Sequence, residues 1–567
     1  MQNHEIAKVL DEIADMLEVS EDNFFRVRAY RNAARTVRDH PEPLAAMALE
    51  QLRHLPGIGA DLANKLNELI TSGDLELHRE LSSRISPGLV ALLRLPALGP
   101  KRVRMLSEQL QIRNVADLKR AIDSGSLRSV RGFGAKMEKQ LAAALEEPAA
   151  LTPTRLMYAL AAQSAQALVE YLRALPAVAE ITVAGSFRRR RDTVGDLDLL
   201  ALSDQPSAVM DRFAHFPGIK QILGQGETKT SLVLSSGLQV DLRVVPAASY
   251  GAALIYFTGS QAHCVHLRRL AQSKGLLLNE YGLFRDHTRV AGADEAEVYL
   301  ALGLPWIAPE LREDRGEIEA AQGGALPHLI ARGDLRGDLH SHSTYTDGRA
   351  SIEEMARQAR ELGLEYLAVT DHSRRLAMAH GLDPARLREQ AREIDRVQRR
   401  LHGIRLLRGI EVDIMEDGSL DLPDEALDEL DWVVASVHYK LNQPAAEMTA
   451  RLIGAIRNPH VDVIGHPSGR LLSGREPSSF DLAQVLHVAR EEGCALEVNS
   501  QAERLDLTDS ACMAAKQAGV KLVISSDSHH PRDFSMLELG VNQARRGWLE
   551  PGDVLNTRPL ERLRQRQ

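Results

Sequence analysis

The stretch GDLHSHSTYTDG, residues 337–348, places His340, His342 and Asp347 within twelve positions. His340 and His342 are two apart, a spacing that sends both imidazoles to one side of a strand, and Asp347 follows in a turn. Downstream, apolar strand-like runs alternate with amphipathic helical ones: EYLAVTDH, RLLRGIEVDI, DWVVASVH, VDVIGH, CALEVNS and KLVISSDSH. Strands alternating with helices imply parallel βα units, and about seven of them from residue 334 onward imply a barrel. These runs deliver His372, Glu411, His438, His466, and Asp527 with His529 to strand ends. In such a barrel the strand C-termini converge on one mouth. One histidine alone is more often a hydrogen-bonded polar residue than a ligand; nine ligand types at successive strand ends exceed chance. Mixed imidazole and carboxylate donors suit Mn²⁺ or Zn²⁺ better than Ca²⁺.

The 567 residues exceed one hydrophobic core, and length alone implies roughly three or four domains. Composition is that of an ordinary soluble protein. The start, MQNHEIAKVLDEIADML, lacks a signal pattern, and no apolar run nears the roughly 20 residues that span a bilayer. Cys264, Cys494 and Cys512 are scattered and odd in number, as reduced thiols would be, so the cytoplasm is the expected location.

The net charge of −9 argues against a nucleic-acid partner only if its distribution is ignored. RVRAYRNAARTVR (26–38) has five arginines and no acid, with Arg28, Arg31, Arg35 and Arg38 on one helical side and Val27, Ala34 and Val37 on the other. Up to about residue 150 the chain reads as short helices broken by Gly and Pro. One pattern recurs as LPGIGADLANKL (55–66), LPALGPKRVRML (95–106) and VRGFGAKMEKQL (130–141). The turn glycines Gly57, Gly59, Gly99, Gly132 and Gly134 would aim backbone N–H groups at a phosphate from a helix N-terminus. A plain helical corner explains one copy; three copies favour DNA-backbone binding.

From about 151 to 310 the texture is α+β. VAGSFRRRRDTVGDLDLLAL (183–202) puts Asp196 and Asp198 on one face of a strand, and LQVDLRVV supplies Asp241 from another. Three carboxylates on one sheet repel unless cations sit among them, and Mg²⁺ takes such ligands together with substrate phosphates. A lone D-x-D at a strand end is usually just exposed. The segment that follows, PELREDRGEIEAAQGGALPHLIARG, reads as a charged connector.

GSFRR, GDLDLL, VDLRVV and YFTGS, in this order, resemble the palm and adjoining segment of family X DNA polymerases, the group of DNA polymerase beta. The resemblance covers the first 310 residues, including the hairpin motifs, which resemble helix–hairpin–helix elements with Ala97 at the usual first glycine of the second copy. It implies a nucleotidyltransferase that adds dNTPs to primers in short gaps, with Asp196, Asp198 and Asp241 holding Mg²⁺ or Mn²⁺. Asp241 would also accept the primer-hydroxyl proton. Ser186, Arg189 and Gly195 would contact the triphosphate. Tyr256 and Phe257 would flank the sugar above Gly259, and Arg268 would read the template minor groove. Cys264 stands where the family has an Asn that donates to the incoming base. Lys65 and Tyr30 fall at the family's Schiff-base lysine and its supporting tyrosine. Arg26 and Asp61 replace phosphate-holding lysines there, and a plain solvent-facing Lys65 is the competing reading.

DLHSHSTYTDG, TDHS, EVDI, VHYK, GHPSGR and SDSHH together resemble the polymerase-and-histidinol-phosphatase (PHP) domain, with all nine of its ligand positions filled. That implies a distorted (β/α)7 barrel whose three-metal cluster, Mn²⁺ or Zn²⁺, hydrolyses phosphoesters. The joint arrangement resembles bacterial repair polymerases and implies a 3′→5′ exonuclease, with abasic-site processing as a further outcome. The expected architecture is a helical lyase-like head (1–85), a second hairpin domain (86–150), a nucleotidyltransferase palm (151–245), a nascent-base-pair-binding domain (246–310), a linker (311–333) and the PHP barrel (334–567). Gapped or primer–template DNA and dNTPs are the expected partners, no membrane is involved, and a monomer is the default. A small-molecule phosphatase leaves the hairpins without a role, and a non-catalytic DNA-end scaffold leaves the metal-ligand residues unexplained.

Overall fold

The computed structural model describes residues 3–20, 23–40, 44–55, 57–95, 98–130, 132–146 and 155–563. They fall into two compact units, residues 1–154 and 155–567. Among its described residues the first unit is helical throughout. Ile6, Leu10, Ile13 and Leu17 recur at helical spacing on Asn3–Val19 and are buried in one core with Val27, Tyr30, Ala34 and Val37 of Phe24–Asp39.

The second unit begins with a five-stranded sheet in the order Glu180–Val183, Asp196–Leu202, Gln239–Val245, Lys229–Leu234, Ile219–Gln225. Its central pair is parallel and sets Asp198 opposite Asp241. Leu197, Leu199 and Ala201 alternate with the acids and pack beneath the helices Tyr158–Arg173 and Pro206–Ala214. Asp196 and Asp198 therefore leave the strand on the other face. Beyond it, the helices Tyr250–Thr258, Gln261–Ser273 and Glu295–Ala301 pack with a three-stranded antiparallel sheet.

Residues 337–525 supply seven strands, paired in parallel and in sequence order from Gly337–Asp338 to Leu522–Ser525. The first and last strand ends meet at a Ser341–Ser528 bridge, where His342 N donates to Ser528 O at 2.8 Å. At the opposite end Asn556 completes the ring: its Nδ2 donates to Gly337 O (2.8 Å) and Ile524 O (2.7 Å), and its Oδ1 accepts from Ile524 N at 3.1 Å. Leu339, Tyr366, Trp432, Val434 and Val523 fill the barrel interior together with Leu563 from the C-terminal segment. That end is plugged, so the chemistry is confined to the strand C-termini. Replacing Asn556 by Ala strands these buried groups and should cost about 3 kcal/mol. The expected readout is an earlier urea midpoint for the fluorescence of buried Trp432; an unmoved midpoint would mean the ring closes without Asn556.

The segment 311–333 is no loose connector. It carries the helix Glu317–Gln322, and Glu310, Arg312, Glu313 and Glu317 are buried. Its buried charges meet partners in the preceding domain: Arg312 Nη1 donates to Glu295 Oε1 at 2.6 Å, and Glu317 Oε1 lies 2.5 Å from His263 Nδ1. Among the described residues, no helix is long and apolar enough to cross a membrane.

Candidate active sites

The palm carboxylates are short of positive charge. Burial first, then Asp196 and Asp241, pushes the Asp198 acid up to about 7, and burial with Asp241 raises Asp196. Lys229 Nζ stands 3.2 Å from Asp241 Oδ2, and Gln239 Nε2 donates to Asp241 Oδ1 at 3.1 Å. Gly185, at φ +63°, backs onto this set: a Cβ there would lie 2.6 Å from Asp198 Oδ2. An oxygen-only donor set with this deficit fits Mg²⁺ or Mn²⁺. Among the described residues these acids do not form as tight a donor group as those in the barrel.

Much of the arginine run beside them is engaged by protein acceptors. Arg188 forks onto Glu295 at 2.7 and 2.8 Å. Arg189 donates from Nε to Glu313 (2.9 Å) and from Nη1 to Thr258 O (2.8 Å), and Arg190 binds the Tyr158 hydroxyl. A run of like charges looks the same in sequence whether its partners are solvent, phosphate or buried acids. Ser186 lies in the same short helix, Gly185–Arg188, and Gly195 directly precedes Asp196.

Tyr256 and Phe257 close the helix Tyr250–Thr258, ring centroids 5.0 Å apart, with Arg268 5.8 Å from the Tyr256 ring centre. A Cβ on Gly259 would approach both Cys264 Sγ and His263 Cδ2 to 2.9 Å, so only glycine fits. The Cys264 thiol is buried and turns back to the carbonyls of Tyr256 (3.5 Å) and Ile255 (3.7 Å). A thiol so engaged is a weak donor to a base. Cys264→Asn should change the dNTP KM or the misincorporation ratio by several-fold, roughly one hydrogen bond's worth; steady-state kinetics unchanged in both would refute a selecting role for this position.

All nine barrel candidates gather at one mouth. Glu411 is the centre: imidazole nitrogens of His340, His342, His372, His438 and His466 lie 3.4, 3.7, 2.7, 3.3 and 3.0 Å from its oxygens. Asp347 bridges His372 (3.2 Å) and His529 (3.3 Å), and Asp527 lies 3.1 Å from His342. Three overlapping donor groups result: His342, Asp347, His372 and His529; His340, His342 and Asp527; and His372, Glu411 and His438. Within this crowd His340 Nε2, His342 Nδ1, His372 Nδ1, His466 Nδ1 and Glu411 Oε2 are buried without a hydrogen bond. Even the 2.7 Å approach of His372 to Glu411 lacks hydrogen-bond geometry. His466 belongs to none of the three groups, its Nε2 lying 3.0 Å from Glu411 Oε1; within the groups, unpaired lone pairs are what divalent cations would satisfy. His466 and Asp527 hold left-handed backbone (φ 28° and 51°), a strain common where function fixes a side chain.

Electrostatics agrees. Burial opposes the His372 proton, but Glu411 and Asp347 outweigh it and hold the imidazole up at about 10. His438 and His529 are likewise held at about 9 against burial, by Glu411 and Asp413 and by Asp347 and Asp527. Burial and the rings of His529 and His372 push His342 down to about 3. Protons on the raised imidazoles must leave before their lone pairs can bind, so cation affinity weakens as pH falls.

In the first unit the hairpin turns are alike. Ile58 N, Leu98 N and Phe133 N donate to Leu55 O, Leu95 O and Val130 O at 3.0, 3.1 and 3.0 Å, and helices start after Gly59, Gly99 and Gly134. Gly57 and Gly132 have φ of +75° and +92°, and no atom lies within 4 Å of a Cβ built on any of the five glycines. Ala97 lies outside the described residues. Of the arginine face, Arg31 pairs with Asp15 and Glu18, and Arg38 with Asp11. Lys65 and Tyr30 do meet, with Nζ 5.6 Å from the ring centre. Yet Asp61 holds Nζ at 2.6 Å; burial opposes the charge, but Asp61 and Tyr30 outweigh it and raise the Lys65 pKa. Imine chemistry needs the opposite shift.

Comparison with known proteins follows the same division. Residues 1–75 match a helix-hairpin-helix domain and 89–147 a SAM-like helix-hairpin-helix tandem. Residues 253–313 match the DNA polymerase beta thumb and 338–501 the PHP domain. A part of the chain is 34% identical over 233 residues to a probable phosphatase of Thermoanaerobacter sp. strain X514, covering 39% of this chain and 89% of that one. The whole chain is 37% identical over 565 residues to the DNA polymerase/3′-5′ exonuclease PolX of Bacillus subtilis strain 168, covering 99% of this chain and 98% of that one. The chain belongs to the PolX family of family X DNA polymerases with a PHP domain.

Several residues that shape this PolX barrel escaped the sequence reading. Glu497 accepts from His340 Nδ1 at 2.7 Å, which turns Nε2 toward Glu411. Asp413 takes the same role toward His438 Nδ1 at 3.2 Å, and Asn499 donates to both Glu497 (3.1 Å) and Asp527 (3.0 Å). Asp371 accepts from Ser343 and Thr346 and so pins the HSHST loop. Their signal was present, since each lies within two residues of a strand end or a ligand. In the palm, Arg155 rests on Thr193 O (2.7 Å), with Nη1 3.3 Å from a Cβ built on Gly195. Nothing in its sequence neighbourhood marked it.

Proposed function

We propose that this PolX chain is a DNA repair polymerase that adds dNTPs at short gaps from the palm and trims 3′ ends in the PHP barrel. The observation that carries the reading is the pairing of two separate donor clusters in a chain that matches a PolX over its full length. In the palm, Asp196, Asp198 and Asp241 would hold Mg²⁺ or Mn²⁺, and Asp241 would take the primer-hydroxyl proton. Ser186, Arg189 and Gly195 would face the triphosphate. Tyr256, Phe257 and Gly259 would seat the sugar, and Arg268 would meet the template. In the barrel, His340, His342, Asp347, His372, Glu411, His438, His466, Asp527 and His529 would hold a Mn²⁺ or Zn²⁺ cluster. Bound there, such cations supply Lewis acidity and charge compensation for a phosphodiester under attack. The protein's share is to orient His340 through Glu497 and His438 through Asp413, and to hold the strand end over the mouth. The open glycines 57, 59, 99, 132 and 134 would let the DNA backbone approach, and the joining of both sites on one chain raises their local concentration on one DNA. At Lys65 the Asp61 contact favours the charged amine, which works against an imine step.

The partial likeness to a probable phosphatase favours one second reading, hydrolysis of a small phosphomonoester. Gapped DNA with a labelled primer and a chromogenic phosphate, each offered with Mn²⁺, separates the two. Extension with dNTPs and shortening without them is the expected result; phosphate release with no change in the primer would replace this reading by the second.

A further inference from the structure

The arginine loop of the palm is held from outside the palm. Arg546, at the end of the barrel helix Leu537–Arg546, donates from Nη1 to the backbone carbonyl of Arg189 at 2.8 Å. The same nitrogen lies 3.1 Å from Glu313 Oε1, the atom that accepts Arg189 Nε at 2.9 Å. Its Nη2 binds Asp509, which also receives Arg315 at 2.9 Å. A second tie runs from Arg470, four residues beyond the ligand His466, to Asp192 at 3.3 Å, and Leu539 of the barrel packs on the palm core. Glu313 and Arg546 are both buried. Exposed pairs of this kind contribute little, whereas removing one member of a buried pair leaves a charge with neither water nor partner. A barrel that was only tethered to the polymerase would meet it through a hydrated polar surface.

We infer that Arg546 of the PHP barrel is a positioning residue of the polymerase site: with Asp509 behind it and Glu313 beside it, it fixes the Arg189 backbone and guanidinium next to the palm carboxylates. Both ends of Arg189 are defined by this cluster, its carbonyl by Arg546 and its Nε by Glu313, while its Nη1 reaches the Thr258 carbonyl at the end of the helix that carries Tyr256 and Phe257. One barrel side chain thus sets the spacing between the two walls of the dNTP position. The inference rests on the polymerase reading above and adds that the nuclease domain is part of the polymerase site's scaffold.

The test compares full-length wild type, Arg546→Met, Arg546→Lys and Glu313→Gln in single-nucleotide gap filling, with 3′-end shortening by the same preparations as the internal control. Arg546→Met should raise the dNTP KM about tenfold, the scale of one lost hydrogen bond from a charged group, with kcat less affected and shortening unchanged. Arg546→Lys, which keeps the charge and one donor, should recover most of the loss. If Arg546→Met does not fold, Glu313→Gln should show the same split with a smaller rise in KM. An unchanged KM in folded variants overturns the inference, and so does a parallel fall of extension, shortening and melting temperature, which marks a merely structural contact. A wild type that fails to extend primers overturns the polymerase reading instead.

Discussion

Glu411→Gln should abolish 3′-end shortening, by roughly 10³-fold or more, and leave gap filling at its wild-type rate. Five imidazoles face this one carboxylate, which is buried and is held ionised against its burial by His372, His438 and His340. The amide has the same shape, so the barrel should fold. It has one lone-pair oxygen in place of two and no charge to balance cations among neutral rings. The loss should persist at saturating Mn²⁺, because the amide removes a charge that the cations would need and not affinity alone. Cleavage assays on a labelled single strand, with the metal content of the same sample, check this; shortening at more than about a tenth of the wild-type rate would remove Glu411 from the centre of the site.

Asp198→Asn should have the mirror effect, a fall of about 10³-fold or more in nucleotide incorporation with shortening intact. Asp198 stands opposite Asp241 and against Gly185, and burial with its two acidic neighbours leaves its acid at about 7. Above that pH the carboxylate is ionised and repels its neighbours, which is the charge that Mg²⁺ would offset. Below it the site takes protons, so the Mg²⁺ needed for half-maximal extension should rise as pH falls through about 7. In Asp198→Asn that titration is absent, and the residual rate should lose this pH dependence. A Mg²⁺ requirement that does not vary with pH in wild type would show that Asp198 is not the group that responds.

Periodicity made the two sites legible in the sequence. Asp196 and Asp198 share a face because strands repeat every two residues, and the barrel ligands stand at strand ends because parallel strands bring those ends together. Partner choice was not legible. Arg189 was expected at the triphosphate, yet Glu313, which accepts its Nε, lies over a hundred residues away in the stretch that read as a connector. The stretch 311–333 looked like a connector because a buried charge and a solvated one have the same composition. Arg312 and Glu317 became interior residues only once Glu295 and His263 were beside them. On Phe24–Asp39, the acids that pair with Arg31 and Arg38, namely Asp11, Asp15 and Glu18, stand in the preceding helix, in plain view but with no contact to infer. Asn556 is the extreme case, a lone amide that closes a barrel through three hydrogen bonds to chain more than thirty residues away.

One PolX chain would thus carry two independent metal-dependent sites acting on the same primer end. A 5′-labelled primer with a mismatched 3′ nucleotide, set in a short gap and supplied with dNTPs and Mn²⁺, tests it most directly. Wild type should trim and then fill. Asp198→Asn should stop at trimmed primer, Glu411→Gln should leave the mismatch in place, and the two mixed should restore the filled product. If either variant alone loses both trimming and filling while still folded, the two sites are not independent and the account is wrong.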